Sequence, residues 1–145
     1  MKASLLAALA LATALSADAP KPGNITYIES SRVAAAFVKG MPLIEVENYK
    51  VHASHRDGPG MAEIHERDTD IVYVLDGTAT LVTGGEAVET KTVAPEEIRG
   101  AAIRGGHERR LVKGDVIIIP NGVPHWFKEV PGPLNYYVVK VRSEK

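Results

Sequence analysis

Gly114–His125 reads GDVIIIPNGVPH, and the class of the whole chain can be worked out from it. Lys113-Gly114-Asp115 is a turn, and Val116 to Ile119 is an unbroken aliphatic run of strand length. Asn121-Gly122 turns the chain again. Pro124 to Val130, PHWFKEV, is the next strand and carries His125 near its start. Pro131-Gly132-Pro133 turns once more, and Asn135 to Val141 is the last strand. Short β-branched and aromatic runs bounded by Gly, Pro and Asn are the pattern of an all-β chain.

Upstream, Met61–Gly77 (MAEIHERDTDIVYVLDG) repeats that pattern and adds chemistry. Side chains two apart in a strand face the same way, so Glu63 and His65 project side by side. A short polar turn, Arg67 to Thr69, precedes a strand that Asp70 opens and Ile71 to Leu75 continues. Asp76-Gly77 is a favoured hairpin turn into Thr78–Thr83. Glu63, His65 and Asp70 are three metal-capable side chains within eight residues.

At 145 residues the chain suits one domain with a core of its own. Seventeen basic residues stand against 18 acidic ones, so no cationic face for nucleic acid is implied. There is no cysteine, hence no disulfide framework and no thiolate chemistry. Any metal must be held by His, carboxylate, backbone or water. Lys2 followed by the Ala/Leu run to Ala14 and the small residues to Ala19 reads as a secretory signal peptide over 1–17, cleaved after Ser16 or Ala17. The apolar run is short for a membrane span, and no cysteine is present to carry a lipid. The expectation is an exported protein, periplasmic or extracellular, without a membrane anchor once the signal is removed.

Residues 18–42 form a lead with one short helix, Arg32 to Lys39, capped by Ser30 or Ser31 and ended by Gly40. Leu43 to Val51 alternates as a strand, and Val51 to His55 is another, carrying His52 and His55. The polar segment from Gly84 to Gly106 reads as an extra hairpin, a lid or a flap, with His107 at its end; Arg99 and Arg104 read first as charges of a solvated loop and second as anion contacts from a lid. No other helical period occurs, and no GxGxxG, P-loop or GxSxG pattern. A barrel or sandwich of roughly 8–10 strands is expected.

Gly114-x5-Pro120-x-Gly122-x2-His125 resembles the second motif of the cupin family. Met61–Gly77 resembles the first motif with two changes: Glu63 stands where the family has its first His, and Asp70 where it has Glu. His65 keeps the second His position. Glu129 stands where an Asn often ends the second motif. The resemblance implies a double-stranded β-helix barrel over 43–145 behind the short N-terminal helix. It also implies one divalent ion (Mn, Fe, Zn, Ni or Co) held by Glu63, His65, Asp70 and His125.

The expected function is a small organic ligand held in the barrel beside that metal, with isomerase, lyase or dioxygenase chemistry open. Glu63 or His55 would then move a proton. A non-catalytic module that binds or senses a sugar or organic acid is the first alternative, and a metal-free β-barrel interaction protein is the second. Each proposed ligand also has a plain structural reading, as a strand-end acid or a core histidine. A homodimer is expected, with the apolar strands Ile71 to Leu75 and Val116 to Ile119 compatible with its interface.

Overall fold

A computed structural model describes residues 23–144. The expected signal peptide and the first residues of the lead lie outside the described residues. Helix α1 (Ser30–Lys39) is followed by strands β1 (Met41–Glu45), β2 (Tyr49–Arg56), β3 (Ala62–His65), β4 (Asp68–Asp76) and β5 (Ala79–Thr83). Next come β6 (Glu86–Val88), β7 (Lys91–Ala94), β8 (Glu97–Gly100) and β9 (Ala102–Arg104). Strands β10 (His107–Leu111), β11 (Val116–Ile119), β12 (His125–Glu129) and β13 (Leu134–Arg142) complete the order. The class is all-β, as expected, with more strands than the turn signals suggested.

One sheet runs β1-β2-β13-β4-β11 and the other β10-β5-β12-β3-β8-β7, with β6-β9 as a small ribbon. All pairings are antiparallel. The larger sheets face each other without joining into one closed ring of hydrogen bonds. Val72, Val74, Leu134 and Val138 of the first sheet meet Leu81, Leu111 and Phe127 of the second in one buried cluster. Strand β4 shows how the sequence does this: Asp68, Asp70, Val72 and Val74 are buried, and their alternate neighbours are not. Its period of two sends apolar residues into the core at one end and acids into the interior at the other.

Four local expectations are corrected. Leu43 to Val51 is not one strand, because the backbone turns after Glu45 and Val46 N–H donates to Tyr49 O at 2.9 Å. Asp76-Gly77 is not a hairpin turn. Both sides of β4 are taken by β13 and β11, so the chain crosses to the other sheet and β5 pairs with β10 and β12. Gly77 makes that crossing at φ 86°, and a Cβ there would lie 2.2 Å from Pro133 O. Helix α1 begins at Ser30, with Glu29 in the N-cap position and no side-chain cap. Its other end is as read: Gly40 is left-handed and its N–H bonds Ala36 O. Finally, Ile71 to Leu75 lies inside the sheet between β13 and β11, so β4 offers no free edge for dimerisation.

Candidate metal centre

The facing sheets enclose a cavity of about 360 Å³. Even-numbered residues of β2 and β13 reach it from one side, and Glu63, His65 and His125 from the other. Strand register assembles the site. Glu63 lies opposite His125 across β3 and β12. On the other edge of β3, Arg99 lies opposite Glu63 and Glu97 opposite His65. In the facing sheet Lys140 lies opposite Asp70.

Glu63, His65 and His125 bring one ligand atom each to within 4.8 Å of one another. Both rings are oriented by their Nδ1 atoms. That of His65 is 2.7 Å from Glu97 Oε2, and that of His125 donates to Val123 O at 3.1 Å. Each Nε2 therefore points into the cluster, the arrangement in which a partner on one ring nitrogen leaves the other for a metal. Oε2 of Glu63 is 3.5 Å from His65 Nε2 and 3.9 Å from His125 Nε2. Oδ2 of Asp70 is 3.3 and 3.7 Å from the same two nitrogens. Ligands bound tetrahedrally at zinc distances stand about 3.4 Å apart. The donor set and its spacing fit a divalent ion.

A lysine shares this space. Lys140 Nζ donates to Asp70 Oδ1 at 2.7 Å and Oδ2 at 2.8 Å, and lies 2.9 Å from His65 Nε2. Arg56 donates to Glu63 Oε1 at 3.2 Å and to the Tyr136 hydroxyl at 3.0 Å, with its guanidinium 4.5 Å above the Phe127 ring. Arg99 bonds Glu97 at 3.1 Å.

Burial opposes the Glu63 carboxylate, but His65, Arg99, His125 and Arg56 outweigh it and hold its pKa at about 2. Burial also opposes charge on His65, yet hydrogen bonds to Asp70, Glu63 and Glu97 lift its pKa to about 10 against the push of Lys140. Its Nε2 carries its own proton or one donated by Lys140, and at 2.9 Å the two nitrogens can share only one. His125 is different: burial lowers its pKa, keeping the ring neutral with Nε2 as an acceptor.

Glu63, His65, Asp70 and His125 all line the cavity. His55 does not. It is an odd-numbered residue of a regular β2, so it faces away, bonded to Asn135 Oδ1 at 2.7 Å and Asp57 Oδ1 at 3.0 Å. His52 has the inward parity but bonds Glu45 at 2.8 Å. His107 is exposed on the edge strand β10 and does not close over the site. Lys140 and Glu97 were not singled out in the sequence. The signal for Lys140 was its place in LNYYVVKVR, where Tyr136, Val138 and Lys140 share one face. Strand β8 is barrel wall and not a lid, which is how Glu97 and Arg99 reach the cavity.

A family profile described as Cupin matches residues 17–143. The chain is a cupin. A comparison with curated proteins gives no match. Among solved structures, protein BH2720 of Bacillus halodurans is similar at 13% identity and TM-score 0.59, with 86% of each chain covered. A cupin protein, BF4112 of Bacteroides fragilis, is similar at 12% identity and TM-score 0.53, covering 87% of this chain and 89% of that one. KdgF of Halomonas sp. is similar at 16% identity and TM-score 0.51, covering 72% and 80%. These likenesses establish a double-stranded β-helix fold for this cupin, and its Glu/His/His cluster is compatible with a divalent metal.

Proposed function

We propose that this cupin binds one divalent metal ion through Glu63, His65 and His125 and holds a small organic acid beside it. The observation that carries the reading is the pair of imidazoles, each tied at Nδ1 and aimed inward at Nε2 beside Glu63. Asp70 is the fourth possible ligand, and its pairing with Lys140 equally suits it to a place beside the ion. Lys50, Arg56, Arg99 and Lys140 line the cavity and favour an anionic ligand. Phe127, Tyr136 and Val138 supply its apolar floor. A bound ion would supply Lewis acidity toward a carbonyl or hydroxyl. The chain itself supplies Asp70 and Lys140 to hold or move a proton, and Arg56 and Arg99 to orient a carboxylate. Isomerase, lyase and oxygenase chemistry all fit such a cavity, and the fold does not choose between them.

Metal analysis of protein purified without a His tag tests the reading. Near-stoichiometric metal is expected, falling to background in His125→Ala with the β circular-dichroism signal kept. Equal metal in both proteins would overturn the ligand set.

One observation favours a second reading. The Asp70–Lys140 pair already neutralises part of the cluster, as expected of a barrel that works without metal. Wild-type protein that stays metal-free after incubation with Mn, Fe, Zn, Ni or Co would select it.

We also infer export, supported by the Ala/Leu run behind Lys2 and the small residues after it. A homodimer is supported by Val116 and Ile118, which are exposed on the edge strand β11. N-terminal sequencing of the mature protein checks the first, with an intact Met1 counting against it. Sedimentation checks the second, with a monomer counting against it.

A further inference from the structure

Resting on the metal reading above, we propose that Lys140 is a tethered competitor for the ion: a divalent metal enters this cluster only by displacing the lysine from His65 Nε2. Lone pairs set the limit. The Nδ1 side of His65 faces Glu97 Oε2 at 2.7 Å, so metal bonding at this ring falls to Nε2. A neutral imidazole offers a single acceptor nitrogen. Lys140 Nζ already stands 2.9 Å from it. A metal at Nε2 would sit about 2.1 Å out, in the space between that nitrogen and Nζ, whichever of the two now carries the proton. The two bonds exclude each other.

The lysine is not there by chance of a long side chain. It lies directly opposite Asp70 in the β13–β4 register, and its side chain is only 12% exposed. Both Asp70 oxygens accept from it, at 2.7 and 2.8 Å. The carboxylates facing the Nε2 atoms are Glu63, which Arg56 and Arg99 also meet, and Asp70, and the two rings lie 5.0 Å apart. An ammonium there offsets the repulsion between these carboxylates, which a metal would otherwise do. The fold is thereby stable with either cation. Metal occupancy becomes conditional on ion concentration, and a displaced Lys140 stays tethered beside the cavity with Asp70.

The test uses Lys140→Met, which keeps length and removes charge, and Lys140→Gln, which keeps a donor for Asp70. Wild type and both variants are stripped with EDTA and titrated with Zn²⁺ against a chelating dye, with melting curves at zero and saturating zinc. Removing a unit charge at this range should tighten zinc binding in both variants by at least about tenfold. Their metal-free forms should melt lower than wild type and gain more from zinc. Variants that bind zinc no tighter than wild type overturn the competition while leaving the metal reading intact. No zinc binding by any of the three overturns both. If Lys140→Met folds only with zinc, the stabilising half of the proposal is met, and Lys140→Gln decides the affinity.

Discussion

His65 is the residue on which three requirements converge. Glu97 fixes one ring nitrogen, Lys140 meets the other, and Glu63 and Asp70 flank it. Partners behind a ligating imidazole set its orientation and basicity, and losing one typically weakens metal binding 10- to 100-fold. Glu97→Gln keeps an acceptor but removes the charge. It should weaken zinc binding by about tenfold with little change in fold, read by the same dye competition. This is opposite in sign to the effect expected at Lys140, so one ring is tuned both ways by its two neighbours. Unchanged affinity would mean that Glu97 serves packing alone. The sequence exposed Glu63, His65 and His125 because their spacing lies within one strand or one motif. Lys140 and Glu97 come from other strands, and only the register of pairing shows that they face Asp70 and His65.

Strands were legible where one face is apolar and turns are marked by Gly, Pro or Asn. The unbroken VIII of β11 and the HWFKE of β12 stand where they were read. The extra hairpin expected in the 84–106 segment is present as β7–β8, but its place in the barrel wall was not legible because β8 inverts the usual pattern. Its inward residues, Glu97 and Arg99, are charged because the site they face is polar, so the segment resembled a solvated loop. The Asp76-Gly77 crossing was misread for another reason. Hairpin turns and sheet crossings both favour glycine, and which one forms depends on whether the preceding strand has a free edge. At Gly77 the requirement is double, a positive φ and backbone within 2.2 Å of a Cβ position. Gly77→Ala should therefore lower stability by about 2 kcal/mol or more. Gly132→Ala is the control, since nothing lies within 4 Å of its Cβ position. Equal denaturation midpoints for the two variants would show that the crossing relaxes without strain.

At the scale of the whole molecule, the clustered charges make metal-free stability a two-sided function of pH. Glu63, Asp70 and Glu97 have lowered pKa values in the fold, because His65 and the neighbouring cations outweigh burial. Their stabilisation is complete above about 4.5, the ordinary glutamate value, and is lost as pH falls through the folded values, about 2 for Glu63. His65 has the opposite sign. Its folded pKa of about 10 exceeds the ordinary 6.5, so its stabilisation is complete below 6.5 and drains away as pH rises toward 10. His55, raised mainly by its bond to Asn135, acts in the same direction. His125, lowered by burial, costs stability once the pH drops below 6.5, which moves the optimum toward the upper end of the window. The EDTA-treated protein should melt highest near pH 6, and lower by about 5–10 °C toward both pH 3 and pH 9. The alkaline limb is the informative one, because it reports the charge on His65 held by three carboxylates against Lys140. A melting point still rising from pH 6 to pH 9 would place the neutral ring at His65 throughout. Lys140 on Asp70, with Arg56 and Arg99 on Glu63 and Glu97, would then be the cations that hold those carboxylates.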